Sequence, residues 1–302
     1  MKKRKIEIMD TTLRDGEQTS GVSFSAVEKL TIAQLLLEEL NIDRIEIASA
    51  RVSEGEFQGV KGIMTWANEK NYSNRIEVLT FVDGGLSIDW MKKTGAKVQN
   101  LLTKGSLNHL TKKKKKTPEQ HFFEIAQTIA LAQENNIETN VYLEDWSNGM
   151  RNSTEYVFQY LDFLTKQPIK RVLLPDTLGV LIPSETFEFI SKIIARYPNT
   201  HFDFHAHNDY DLSIANVMEA VKAGIQGLHV TVNGMGERAG NAPLESTVAV
   251  INDFFPQIEI GVKESSLYSV SKLVETFTGY RIPANKPIVG DNVFTQTAGI
   301  HA

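Results

Sequence analysis

His205 and His207 close an alternating run, His201-Phe-Asp-Phe-His-Ala-His207, and Asn208 and Asp209 follow at once. Side chains two apart on a strand point to one face, so both imidazoles can reach a single metal ion from one strand end. The chain holds no cysteine, which excludes disulfides, thiolate ligands and a cysteine nucleophile and leaves His, Asp, Glu and Asn as the ligand set. An isolated His-x-His pair is a weak signal; its weight depends on which polar residues the fold brings beside it.

The elements around the pair answer that question. Strand-like runs rich in β-branched residues lie at 6–10, 44–48, 75–82, 97–103, 137–144, 171–176, 201–205 and 227–233. Amphipathic stretches follow them at 25–40, 55–70, 88–94, 118–136, 154–166, 184–197, 212–223 and 244–254. Thr117-Pro118-Glu119 and Pro183-Ser184-Glu185 read as helix starts, and Asn135-Asn136 and Gly224 as helix stops. Eight β-α pairs over roughly 250 residues match a closed parallel (β/α)8 TIM barrel better than an open doubly wound sheet. Residues 1–256 are expected to form the barrel, and 257–302, with a helix at 262–279, the start of a C-terminal extension. The halt at Ala302 leads to the expectation of a truncated catalytic domain from a longer protein.

With 302 residues and 41% hydrophobic content the chain can bury one sizeable core. A net charge of −5 argues against nucleic-acid binding, with the lysine run 112–116 as a local exception. That run reads first as a solvated loop and second as a guide for anionic groups. No stretch is apolar enough to span a bilayer and no signal peptide is evident, so a cytoplasmic protein without membrane partners is expected.

Barrels of this kind place chemistry at the C-terminal ends of their strands. Strand one there ends in Thr11-Thr-Leu-Arg14-Asp15-Gly-Glu-Gln18, strand five in Glu144-Asp145, strand six in Asp176-Thr177, strand seven in His205-Ala-His207 and strand eight in the loop Asn233 to Asn241. Asp15, His205, His207 and Asn241 together offer one carboxylate, two imidazoles and one amide oxygen, a set suited to a divalent ion with positions left open. Arg14 beside them would fix a cation where a carbonyl oxygen becomes an alkoxide. Thr177 can donate a hydroxyl to a substrate carboxylate, although threonine at a strand end is also ordinary. The plainer alternatives are hydrogen-bonded barrel histidines, an Asp15 that only caps a helix, and a surface ion pair for Arg14.

The motifs Asp10-Thr-Thr-Leu-Arg-Asp-Gly-Glu-Gln18, His205-Ala-His-Asn-Asp209, Asn233-Gly-Met-Gly-Glu-Arg-Ala-Gly-Asn241 and Thr297-Ala-Gly-Ile-His301 resemble the 2-isopropylmalate, homocitrate and citramalate synthases. Ile47 to Val52, Asn100 to Ser106, Val141 to Gly149 and Leu174 to Gly179 are similar to the (R)-citramalate synthase branch of that family. The resemblance implies a Claisen condensation of acetyl-CoA with a small 2-keto acid, foremost pyruvate, on a divalent Zn, Mn or Mg ion, in a homodimer serving branched-chain amino-acid biosynthesis. It implies metal ligands Asp15, His205 and His207 with Asn241 in or beside the shell, and substrate contacts from Arg14, Thr177 and Gln18. Leu79, Leu102 and Tyr142 match the positions that line the keto-acid pocket, where bulky walls admit a methyl group and offer no cation to a second carboxylate; the leucines also read as plain core. Glu144 and His301 are the two candidates for acid-base work, the latter lying beyond the barrel where the resemblance implies that it helps complete an active site, its own or a neighbouring subunit's, and Glu46 is a candidate support for Arg14. Neighbouring readings are 2-isopropylmalate synthase on 2-ketoisovalerate and homocitrate synthase. More distant ones are a hydroxymethylglutaryl-CoA-lyase-like retro-aldol enzyme, whose cysteine loop this chain lacks, and a non-catalytic keto-acid sensor, for which Arg14, Glu144 and His301 would be superfluous.

Overall fold

The computed structural model describes residues 3–295. Eight parallel strands close into a barrel in sequence order: β1 (Glu7–Asp10), β2 (Arg44–Ser49), β3 (Ile76–Phe81), β4 (Val98–Lys104), β5 (Glu138–Glu144), β6 (Arg171–Asp176), β7 (Phe202–Ala206) and β8 (Gly227–Val230). Closure comes from β8 pairing with β1, Glu7 opposite Gly227 and Asp10 opposite Val230. Below it, Arg4–Lys5 pairs with Ile258–Glu259 in a two-stranded parallel sheet, which the sequence reading did not foresee. Among the described residues no helix is long and apolar enough to cross a membrane.

The period-2 alternation decides which residues face the barrel axis. Along β5, Val141 and Leu143 join the large core under the helices, whereas Tyr142 belongs to a separate small cluster with Met9, Leu79 and Leu173. Along β7, Phe202, Phe204 and Ala206 face the helices, which sends Asp203 and His205 inward. Most of the apolar packing thus lies outside the strands, and the axis carries polar groups beside that one small apolar cluster.

The eight helices are α1 (Ala26–Gln34), α2 (Glu54–Glu69), α3 (Leu86–Thr94), α4 (Pro118–Glu134), α5 (Thr154–Leu164), α6 (Pro183–Arg196), α7 (Ser213–Ala223) and α8 (Leu244–Phe254), and α9 (Leu267–Thr278) follows the barrel. Their starts follow the sequence signals: the Thr117 hydroxyl accepts from Gln120 N–H while the Gln120 side chain accepts from Thr117 N–H. Gly224 stops α7 with φ 104°, a left-handed conformation that costs glycine nothing. Two local expectations are corrected. The eighth strand ends at Val230 rather than 233, because Val232–Gly234 forms a tight turn with Asn233 at φ 60°. An unforeseen helix, Trp146–Asn152, follows β5; its Gly149 lies so close to Gly105 O that a Cβ would sit 2.2 Å away.

At the lower end of the axis Arg44 donates to Glu77 (2.9 Å) and Asp203 (2.5 Å), with all three side chains at most 4% exposed. A buried charge stripped of its partner is expensive. Arg44→Met is therefore expected to cost about 3–5 kcal/mol, read as a lower urea midpoint with an unchanged slope.

Candidate active site and metal centre

Strand ends place the predicted residues. β7 runs out through His205 to His207, and β1 turns sharply after Asp10: Arg14, Asp15 and Gly16 each donate a backbone N–H to Thr11 O. That turn carries Arg14 and Asp15 over the barrel mouth. Asp15 Oδ2 lies 3.4 Å from His205 Nε2 and 3.9 Å from His207 Nε2, and the two imidazole nitrogens are 3.3 Å apart. One ligand atom from each of the three residues thus falls within 4.8 Å of the others, in side chains all but buried.

The electrostatics suit a cation. Burial drives His205 and His207 down to about 4, so both imidazoles are neutral and able to ligate at neutral pH. Burial works to raise Asp15, but Arg14 and the two histidines outweigh it and hold the carboxyl well below its usual range. Asn241 lies beside the trio with its amide nitrogen donating to Asp15 Oδ1 (3.0 Å) and Met235 O (2.9 Å). Its Oδ1, buried, has no protein partner among the described residues, nor have the Nδ1 atoms of the two histidines. A buried carboxylate, two neutral imidazoles and an unpartnered amide oxygen fit a divalent ion bound through nitrogen and oxygen. Close approach of the β8 loop is needed here, since a Cβ on Gly236 would lie 2.2 Å from Asn241 Nδ2.

The folded values of the two histidines lie below the ordinary 6.5, so as pH falls the unfolded chain takes up these protons first. Stability from the pair is complete above about 6.5 and is lost progressively between 6.5 and about 4. Metal-free protein is expected to show a urea midpoint that drops across that window, and to drop less with His205→Gln.

Arg14 donates from Nε to Glu46 Oε2 (2.5 Å) and from Nη1 to Asp15 Oδ2 (3.0 Å). Burial alone would lower its pKa, but the two carboxylates raise it, so it stays a fixed cation. Glu46 is held in turn by Asn100 Nδ2 at 2.7 Å, which gives Glu46 the supporting place expected for it. A cavity of about 360 Å³ opens over these groups. Gln18, Leu79, Leu102, Tyr142, Glu144 and Thr177 all line it, together with Arg14, Asp15, His205 and His207. Thr177 Oγ1 accepts from Asp145 N–H (2.9 Å), which leaves its own proton free for a ligand. Glu144 is paired with Lys104 Nζ and stands 3.8 Å from His109 Nδ1. His301 lies outside the described residues.

Sequence reasoning missed five lining residues: Ser49, Val52, Phe81, Pro175 and Glu237. Phe81 was findable, because it stands two after Leu79 on β3 and so shares its face. The lysine run 112–116 begins in a helical turn, His109–Lys113, beyond the end of β4, and none of its lysines lines the cavity. A larger cavity of about 560 Å³ opens at the far end of the strands near Glu138 and Lys170, away from the clustered ligands.

Residues 5–274 match the family described as HMGL-like. A putative (R)-citramalate synthase from Methanopyrus kandleri is 35% identical over 298 residues, covering 98% of this chain and 57% of its own length. A probable 2-isopropylmalate synthase from Ignicoccus hospitalis is 36% identical over 298 residues, covering 99% of this chain and 72% of its own length. Among solved structures, the HMG-CoA lyase of Bacillus subtilis aligns with a TM-score of 0.75 at 22% identity, over 94% of this chain and 98% of that one. The last likeness concerns the fold alone. The chain thus spans little more than half of the Methanopyrus relative.

Proposed function

The chain belongs to the HMGL-like family, and from that premise we propose that it is the condensing barrel of an acetyl-CoA-dependent synthase that takes a small 2-keto acid, pyruvate first, to give citramalate and CoA. The observation that carries this reading is the meeting of a metal-ligand trio, a buried arginine and an apolar floor in one cavity. Asp15, His205 and His207, with Asn241 alongside, would hold the divalent ion, which supplies Lewis acidity toward the keto carbonyl.

The chain's own groups supply the rest. Arg14, fixed by Glu46 and Asp15, would hydrogen-bond the keto oxygen as it gains charge. Thr177, whose hydroxyl proton is unspent, can orient the keto-acid carboxylate. Glu144, at the cavity wall, would take a methyl proton from the thioester. The resulting carbanion attacks the keto carbon, the alkoxide takes a proton, and hydrolysis of the thioester releases the CoA thiol.

The floor argues for a small keto acid. Leu79, Leu102, Tyr142 and Phe81 crowd it, which leaves a methyl group room and penalises branched chains. Among the described residues lining the cavity Arg14 is the one cation, so a second carboxylate finds no dedicated partner. That disfavours homocitrate formation. Relatives named as 2-isopropylmalate synthases keep 2-ketoisovalerate as the second candidate.

Incubation with acetyl-CoA and a panel of pyruvate, 2-ketobutyrate, 2-ketoisovalerate and 2-oxoglutarate, with release of free thiol followed, tests the proposal. Pyruvate is expected to give the highest kcat/KM. A preference for 2-ketoisovalerate would overturn the pocket argument, and release of acetyl-CoA from hydroxymethylglutaryl-CoA would move the chain to the lyases.

A further inference from the structure

Tyr142 forms part of the cavity floor, yet its hydroxyl is tied down through the barrel axis. The hydroxyl lies 2.9 Å from His229 Nδ1, and His229 Nε2 lies 3.1 Å from Asp203 Oδ2. Asp203 Oδ2 also accepts from Arg44 Nη2 (2.5 Å), while its Oδ1 meets His201 Nε2 at 2.9 Å. Tyr142, His229, Asp203 and Arg44 are each at most 3% exposed. The result is an unbroken polar column from the lower end of the barrel to the floor of the site, and the proposed chemistry uses none of it below Tyr142.

The direction of each hydrogen bond follows from the bottom. Asp203 is ionised: burial opposes it, but the Arg44 charge and the bonds from His201 and His229 hold it well below the usual carboxylate range. An ionised carboxylate only accepts, so the proton of His229 must sit on Nε2. Burial keeps that imidazole neutral, which leaves Nδ1 bare to accept from the tyrosine hydroxyl. Tyr142 is therefore committed downward, and its ring cannot swing without breaking a buried hydrogen bond. Asp203 is itself boxed in, since a Cβ on Gly227 would lie 2.0 Å from its Oδ1. Above, the ring stands edge-on to His205, with centroids 6.1 Å apart, and Arg14 Cζ lies 5.9 Å from its centroid.

We propose that His229 and Asp203, anchored on Arg44, are specificity-determining positioning residues: they lock the Tyr142 ring as a fixed floor and so set the size limit on the keto-acid side chain. The inference rests on the functional reading above and adds to it the device that enforces substrate size. A tyrosine ring held by apolar packing alone would yield to a larger ligand, whereas one tethered at its far end does not.

Two variants separate tether from wall. Tyr142→Phe removes only the hydroxyl and keeps the ring, and His229→Leu removes the tether while Asp203 keeps Arg44 and His201. Calorimetric titration of the full chain with pyruvate and with 2-ketoisovalerate, in the presence of Mn²⁺, gives the ratio of dissociation constants. In both variants 2-ketoisovalerate is expected to bind more tightly than in wild type and the preference for pyruvate to fall by about tenfold. A gain of binding for the bulkier acid is something general loosening of the fold would not produce. Ratios within twofold of wild type in both variants overturn the inference while leaving the functional reading intact. Wild type that binds neither acid overturns the functional reading, and the inference with it.

Discussion

Asp15→Asn is expected to abolish divalent-cation binding and to lower turnover by on the order of 10³, the equivalent of about 4 kcal/mol of transition-state stabilisation. Asparagine keeps the size of the side chain, so the β1 turn, which is held by backbone bonds to Thr11 O, has no reason to move. What is lost is charge. The two imidazoles are neutral, and Asp15 is the one anion of the proposed ligand trio. Arg14 also loses one of its two carboxylate partners, which leaves the guanidinium held by Glu46 alone. Paired measurements of bound metal and of thiol release check the prediction; a variant that keeps both would remove Asp15 from the site's chemistry.

Glu144→Gln is expected to leave keto-acid binding within about twofold while lowering kcat by about 10²–10⁴, the range for removing a general base. Its position explains the separation. Glu144 ends β5 with its side chain 23% exposed at the cavity wall, where it is paired with Lys104. It does not touch the ligand trio. Glutamine preserves the shape but cannot accept a proton, so binding and chemistry should part. Steady-state kinetics beside calorimetric pyruvate binding would show this. A loss of only a fewfold would shift the base role toward His301.

Much of this site could be read from the sequence because barrels turn one-dimensional order into geometry. Once eight strand-helix pairs are counted, the C-terminal end of every strand lies on one face, and Asp15, His205, His207, Glu144 and Thr177 come together with no further information. The structure brings all five to one cavity. Period-2 alternation carried further would also have put Asp203 on the face of His205. What remained hidden depends on register between distant strands. Arg44, Glu77 and Asp203 meet although 33 and 159 residues separate the arginine from its partners. Tyr142 read as a wall residue, and nothing in its neighbourhood in sequence announces His229, 87 positions away. The helix Trp146–Asn152 was missed because seven residues are too few to show a period. The early end of β8 was missed because Val232 prolongs an apolar run that the Asn233 backbone interrupts.

A divalent ion at the barrel mouth is the premise of the proposed chemistry, and titration of chelator-stripped protein with Mn²⁺ tests that most directly. One ion per chain is expected in wild type, with binding lost in Asp15→Asn and in His207→Ala. Wild type that binds no Mn²⁺, Zn²⁺ or Mg²⁺, or an Asp15→Asn variant that binds as tightly as wild type, would contradict it.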